Sequence, residues 1–206
     1  YVGPQLGEPD WAAEGISPDR ALPWAETDPR PLVAVAFSTT FQDHAAVLQA
    51  VIDALATLPV RGLVTLAGIA PGEVRGAENV ALVDHMPHDA LMRRASLVIT
   101  HGGHGTVMRA LSHRRPLLII PHGRDQNDNA VRVAVRGAGL VLPPTARRED
   151  IADTIRRLLA DPAFARAAAT LGTAVAEEAR ETPVVEVLET AASPCRVRRA
   201  AELVDA

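Results

Sequence analysis

The stretch LVITHGGHGTVMRALSHRRPLLIIPHGRDQNDNA, residues 97–130, decides the fold. It begins with an apolar run, LVIT at 97–100, and passes through a glycine-rich turn into a helix-like segment. A second apolar run, PLLII at 116–120, follows, and the polar loop PHGRDQNDN comes directly after it. Short buried runs on either side of a helix predict a β-strand, a crossover helix and a second, parallel β-strand.

The turn between the first run and the helix combines glycines with polar side chains. Its residues are His101, Gly102, Gly103, His104, Gly105 and Thr106. The N-terminus of a helix presents unpaired backbone N–H groups and about half a positive charge. Because glycines let an anionic ligand approach that backbone closely, this turn predicts a phosphate site. The polar loop at 121–129 would lie at the same carboxyl edge of the sheet, where open α/β sheets bind ligands.

The rest of the chain repeats this alternation of short apolar runs and amphipathic segments. Further strands are expected at residues 32–37, 63–66, 80–83 and 139–142. Further helices are expected at residues 43–58, 88–94, 127–136, 149–159, 162–181 and 184–192. Short loops join these segments, as in βαβ units. The sequence therefore predicts an α/β fold with a Rossmann-like parallel sheet flanked by helices.

The composition describes an aliphatic core and argues against several classes of function. Hydrophobic residues make up 48% of the 206 residues and aromatic residues only 3%, which suits helices packed on a parallel sheet. A net charge of -4 gives no electrostatic basis for binding nucleic acid or an anionic membrane. The single cysteine, Cys195, excludes an intrachain disulfide framework and a thiolate metal cluster. With no long apolar run and no signal peptide in the sequence, no membrane span and a cytoplasmic location are expected.

Three segments are predicted along the chain. Residues 1–31 contain six of the sixteen prolines, a density typical of an extended interdomain linker. Residues 32–192 are expected to form one ligand-binding domain, and residues 193–206 a C-terminal tail. Because the chain opens on the linker-like YVGPQLGEPDW, we expect it to be part of a longer protein.

Two motifs and their spacing resemble the nucleotide-sugar half of GT-B glycosyltransferases. The likeness is greatest to bacterial enzymes that glycosylate macrolides, enediynes and aromatic polyketides, which show an HGG-x-G-T turn followed by a P-x-x-x-D-Q-x-x-N-A segment. Here these motifs are HGGHGT at 101–106 and PHGRDQNDNA at 121–130. The preceding VDHMPHDALM at 83–92 is similar to the family's V-D-aromatic-x-P-x-x-x-L-L segment, and YVGP to its linker. The resemblance implies the C-terminal, donor-binding half of a GT-B fold.

The resemblance also implies a role for each matching residue. The diphosphate would be bound by the turn, through His101, Gly102, Gly103, His104, Gly105 and Thr106. The nucleobase would contact His85 and the backbone of Met86. Asp125 and Gln126 would hydrogen-bond the hydroxyls of the sugar. Ser38 and Thr39 would line the donor cleft.

The implied reaction is transfer of a sugar, with inversion, from a TDP- or UDP-linked donor to a small natural-product acceptor. The acceptor site and the catalytic base belong to the N-terminal half in the resembling family, so this chain is expected to hold no catalytic residue and to be inactive alone. No metal or other cofactor is expected. Two positions depart from the family. His85 stands where many relatives carry a large aromatic or aliphatic residue, and Arg109 stands where plant relatives carry the glutamate that binds ribose.

Other interpretations of the same residues stay open. His101, His104 and His122 could converge on a metal ion, although the spacing places no carboxylate ligand beside them. His101 could serve only to cap the turn, and the Asp125–Gln126 pair only to begin the next helix. The chain could also be a non-catalytic nucleotide-binding partner that activates a transferase, or half of a GT-B-fold sugar-nucleotide epimerase. A Rossmann dehydrogenase is disfavoured, because GGHG lacks the G-x-G-x-x-G order.

Overall fold

The structure is a computed structural model. It describes residues 4, 6, 22–25, 27–37, 44–66, 69–70, 72–181 and 188–190. Ser38 and Thr39, predicted for the donor cleft, therefore lie outside the described residues. So do most of the predicted linker and all of the predicted tail at 193–206.

Six parallel strands form one sheet in the order β3-β2-β1-β4-β5-β6. The strands are β1 (Leu32–Ala36), β2 (Arg61–Thr65), β3 (Val80–Val83), β4 (Leu97–Thr100), β5 (Leu117–Ile119) and β6 (Gly139–Val141). Every residue of β1, β4 and β5 is buried, which explains why their sequences are unbroken apolar runs. The predicted α/β fold with a parallel sheet is confirmed.

Within the described ranges, six helices of seven residues or more cover both faces of this sheet. They are α1 (Ala45–Ala56), α2 (His88–Arg94), α3 (His104–Ser112), α4 (Gln126–Val135), α5 (Arg148–Ala160) and α6 (Pro162–Glu181). The buried residues of α1 and α5 pack on one face, and those of α2, α3 and α4 pack on the other. The long helix α6 contributes Phe164 to the first cluster and Ala168 to the second. No helix within the described ranges is both long enough and apolar enough to cross a membrane.

Most element boundaries differ from the predicted ones by one or two residues, and the start of β2 has a clear physical reason. β2 begins at Arg61 rather than at residue 63, because Arg61 and Gly62 pair in register with Leu32 and Val33 of β1. The structure uses this glycine as a buried strand residue, since a Cβ there would lie 3.1 Å from the side chain of Leu55. α4 begins at Gln126 rather than at residue 127.

The order of the strands places one crevice at the carboxyl end of the sheet. Consecutive strands run outward from β1 to β3, and the chain then returns to β4 on the other side of β1. The loops after β1 and β4 therefore diverge to opposite faces of the sheet. Such a switch point is where open α/β sheets bind ligands. The turn at 101–106 follows β4 directly, so it opens onto this crevice.

Candidate functional site

The N-terminus of α3 carries backbone amides that the protein leaves unpaired. Gly103 is the N-cap residue, with an extended backbone (φ −60°, ψ 136°) and no side-chain cap. The first intrahelical hydrogen bond runs from the amide of Val107 to the carbonyl of Gly103, at 3.0 Å. Among the described residues, no acceptor is seen for the amides of residues 104–106. His104 and Gly105 are exposed, and a Cβ on Gly105 would meet no described residue within 4 Å, which leaves room for a ligand at the start of α3.

The turn before α3 depends on its first two glycines. Gly102 has φ +96°, in the left-handed region that favours glycine, and a Cβ there would lie 2.8 Å from Ile119. Its amide donates to the hydroxyl oxygen of buried Thr100 at 3.3 Å. A Cβ on Gly103 would lie 2.5 Å from Nε2 of His101. The small size of Gly103 thus lets the imidazole nitrogen stand beside the start of α3.

His101 lies in a cluster of rings with His122, whose convergence the sequence allowed, and with His44 and Phe37, which no motif marks. His44, at the N-terminus of α1, lies 6.2 Å from His101 and 4.7 Å from His122, measured between ring centroids. Phe37, directly after β1, lies 6.3 Å from His101 and 5.9 Å from His122. His44 and His101 are only 4% and 7% exposed. The signal that could have found His44 is its position shortly after β1, at the same edge of the sheet.

The cluster keeps the His101 imidazole neutral at pH 7. Burial, reinforced by the imidazoles of His44 and His122, lowers the pKa of His101 from 6.5 to about 4. The negative charge of Asp125 acts in the opposite direction and raises the pKa of His101, but by less than burial lowers it. Burial also lowers the pKa of His122. A neutral imidazole has a single N–H, and a hydrogen bond with the backbone of Ala36 acts on the ring of His101.

The metal hypothesis based on His101, His104 and His122 receives no support from the geometry. His101 and His122 both contact His44, whereas His104 is exposed on the first turn of α3. Within the described ranges, no three His, Cys, Asp or Glu side chains are placed to hold a metal ion.

The loop between β5 and α4 brings the second motif to the same crevice. Its backbone is tight, with Gly123 at φ 145° and the non-glycine Arg124 at φ 57°, a conformation that costs a non-glycine residue energy and is concentrated at functional sites. Asp125 is exposed at the N-cap of α4. Gln126 is only 2% exposed, and its Oε1 accepts the amide hydrogen of His122 at 2.7 Å. In this conformation Gln126 holds the loop, and its contact with a sugar stays a prediction.

The predicted nucleobase residues lie at the far side of the sheet, after edge strand β3. The Met86 side chain is 3% exposed and packs in the core beneath α2, which leaves its backbone for the predicted contact. His85 is half-buried. Nearby, Arg109 of α3 lies 3.4 Å from Asp89 of α2 and donates to the carbonyl of Leu6 at 3.2 Å. These contacts join α2, α3 and the predicted linker.

Sequence comparison assigns the chain to a family. Residues 49–191 match the family described as erythromycin biosynthesis protein CIII-like, C-terminal domain. The chain belongs to this family. A similar protein is the 4'-demethylrebeccamycin synthase of Lentzea aerocolonigenes, which is 33% identical over 169 residues, covering 81% of this chain and 40% of that protein.

Solved structures with the same fold agree with the family assignment. The calicheamicin glycosyltransferase CalG4 superposes with a TM-score of 0.74 at 24% identity, covering 94% of this chain and 49% of that one. The glycosyltransferase VinC, in complex with DTDP, superposes with a TM-score of 0.64 at 27% identity, covering 93% and 46%. The chain thus spans about half of these structures. The resemblance to the C-terminal half of GT-B natural-product glycosyltransferases is confirmed.

Proposed function

We propose that the chain is the donor-binding half of an inverting glycosyltransferase and binds a TDP- or UDP-linked sugar. The observation that carries the proposal is the exposed start of α3, where the amides of residues 104–106 have no acceptor among the described residues and Nε2 of His101 lies beside Gly103. A diphosphate placed there would accept several backbone hydrogen bonds and lie at the positive end of the helix dipole. The DTDP complex of the related VinC supports a nucleoside diphosphate as the ligand.

In the whole enzyme, this half would stabilise the leaving group. An acceptor hydroxyl attacks the anomeric carbon of the sugar, the bond to the diphosphate breaks, and the diphosphate leaves with additional negative charge. The amides of α3 donate hydrogen bonds to it, Thr106 adds its hydroxyl, and the ring of His101 lines the site beside Gly103. Losing one such donor typically lowers kcat by about 10²–10³-fold. No metal takes part in this step, and the base that deprotonates the acceptor comes from the other half of the protein.

The remaining predicted contacts come from three loops, each of which binds a different part of the donor. Asp125 and Gln126 recognise the sugar, and His85 with the Met86 backbone recognises the nucleobase. The loop after β1, with Ser38 and Thr39, lines the cleft between them. The crevice at the switch point between β1 and β4 supports this division, because all three loops leave carboxyl ends of the same sheet.

Calorimetric titration tests the proposal with TDP, UDP, TDP-glucose, UDP-glucose and the corresponding nucleosides. We expect the diphosphates to bind, the nucleosides to bind at least tenfold more weakly, and chelation of metals to change neither result. Failure of every diphosphate to bind would overturn the proposal. Transfer of sugar to an acceptor by this chain alone would overturn the division of labour between the two halves.

Two variants test the sugar subsite. Asp125→Ala combined with Gln126→Ala should weaken binding of the nucleotide sugar far more than binding of the free nucleoside diphosphate. Asp125→Ala alone keeps the loop contact of Gln126 and should act in the same direction. The matched control is Asn127→Ala with Asp128→Ala, an exposed polar pair on the same helix. An equal loss for both ligands would favour an auxiliary nucleotide-binding protein, which has no need to recognise a sugar.

A further inference from the structure

One buried amide connects the two motifs of the crevice. Asn129, on the first turn of α4, is 6% exposed. Its Nδ2 donates one hydrogen to the carbonyl of Gly102 at 3.0 Å and the other to Oδ2 of Asp125 at 2.9 Å. A side-chain amide nitrogen has two hydrogens, so both are used. Asn129 therefore bridges the turn after β4 and the loop after β5, and Asn129 itself lies 27 residues beyond Gly102 in the sequence.

We propose that Asn129 is a positioning residue that fixes the sugar-recognising carboxylate of Asp125 relative to the diphosphate-binding turn. This inference rests on the proposed function. Asn129 itself touches neither the diphosphate nor the sugar in this arrangement. Asn129 sets the distance between the carboxylate of Asp125 and the diphosphate-binding turn. Both subsites are therefore correctly spaced before the ligand binds.

The surroundings of Asp125 give this bridge its importance. The carboxylate is exposed and makes no capping bond to the amides of α4. In the part of the chain that the structure describes, Asn129 is the hydrogen-bond donor seen for this carboxylate. Because Asn129 donates to Oδ2 of Asp125, Oδ1 is left to accept a hydrogen bond from a sugar hydroxyl. Without the bridge the side chain would rotate among its rotamers, and binding a sugar would then cost the entropy of ordering it.

The other end of the bridge is equally constrained. Gly102 adopts a left-handed conformation, and a Cβ on it would have no room. That Cβ would lie between the side chain of Ile119 and the backbone oxygen of Gln126, 3.2 Å from the oxygen. The carbonyl that Asn129 holds thus belongs to the residue that orients Gly103 and the first amides of α3. A displacement of either loop is transmitted to the other through these two hydrogen bonds, of which the one to Gly102 is buried and the one to Asp125 partly buried.

A double-mutant cycle on the intact chain tests the coupling. Calorimetry would give the ratio of the Kd of TDP to the Kd of TDP-glucose for wild type, Asp125→Ala, Asn129→Leu and the double variant. We expect Asp125→Ala to lower this ratio about tenfold, the effect of one lost charge-assisted hydrogen bond. Asn129→Leu should lower it by a similar factor, and the double variant should fall no further. Asn127→Leu, on the exposed side of the same helix, should leave the ratio unchanged.

The outcomes separate this inference from the proposed function. If wild type binds no TDP, the proposed function fails. If wild type binds and Asp125→Ala lowers the ratio but Asn129→Leu does not, the inference alone is overturned. Effects of the two variants that simply add also overturn it. If Asn129→Leu does not fold, the side-chain amide resonances of wild-type Asn129 provide a second readout: they should shift more with TDP-glucose than with TDP, and equal shifts would contradict the coupling.

Discussion

The substitution Gly105→Ala should stabilise the fold and at the same time weaken ligand binding. Gly105 is the second residue of α3, and a Cβ there would have nothing within 4 Å. Replacing a glycine by alanine in a helix-compatible backbone stabilises a protein by about 0.4–1 kcal/mol, mainly by restricting the unfolded chain. For a domain of this size that corresponds to a rise in Tm of about 1–4 °C.

The same methyl group would occupy the space in which we place the diphosphate. A phosphate oxygen placed to accept hydrogen bonds from the amides of residues 104–106 would then clash with the added carbon atom. Losing one charge-assisted hydrogen bond costs about 1.5–3 kcal/mol, which is a tenfold or greater loss of affinity. Gly105→Ala should thus melt at a higher temperature than wild type without ligand, yet bind TDP at least tenfold more weakly.

Differential scanning calorimetry and titration calorimetry measure the two effects on the same protein. Ser112→Ala is the matched control, because it also raises helix propensity in α3 but lies at the opposite end of the helix. It should leave the Kd of TDP unchanged. A Gly105→Ala protein that binds TDP as tightly as wild type would refute the placement of the diphosphate at the start of α3.

Two further predictions concern stability. Lowering the pH from 7 to 4 should reduce the free energy of unfolding, because the folded chain holds the pKa of His101 at about 4 and the unfolded chain binds the proton near pH 6.5. Protonation of His101 can lower the free energy of unfolding by at most ~3 kcal/mol over this range. In His101→Gln, the free energy of unfolding measured with urea should therefore fall less steeply between pH 6.5 and 4. The same pH dependence as in wild type would contradict the lowered pKa of His101. Gly172→Ala should destabilise the chain by about 1–3 kcal/mol, since a Cβ there would overlap the carbonyl oxygen of Leu111 and push α6 away from α3. Because alanine normally stabilises a helix interior, wild-type stability of this variant in urea would show that the two helices are not in close contact.

The fold was predictable because its signals are local. Strands buried on both faces are nearly continuous apolar runs, as the first three residues of Leu97–Thr100 are, and the glycine turn marks the start of α3 in the sequence itself. The exact start of β2 was not predictable, because an Arg-Gly pair is typical of a turn. Only the packing of Gly62 between Leu55 and Val80 makes it a strand residue.

The candidate residues of the site could be chosen from sequence motifs, but the contacts between their side chains could not. His44 follows no local pattern, and only the sheet brings it to His101 and His122. The sequence likewise gives no reason to expect that Gln126 places its side-chain oxygen on the amide of His122. The bridge made by Asn129 joins loops that follow different strands. Such contacts depend on tertiary geometry, which residue types and spacing do not specify.

The most direct test of the account is a ¹H–¹⁵N chemical-shift titration of the chain with TDP. The account predicts that the largest shift changes fall on the backbone amides of residues 103–106, with the ring of His101 changing at the same ligand concentrations. It also predicts that thymidine without phosphates leaves those amides unchanged. Binding of TDP that shifts resonances elsewhere and leaves residues 103–106 unchanged would contradict the central claim.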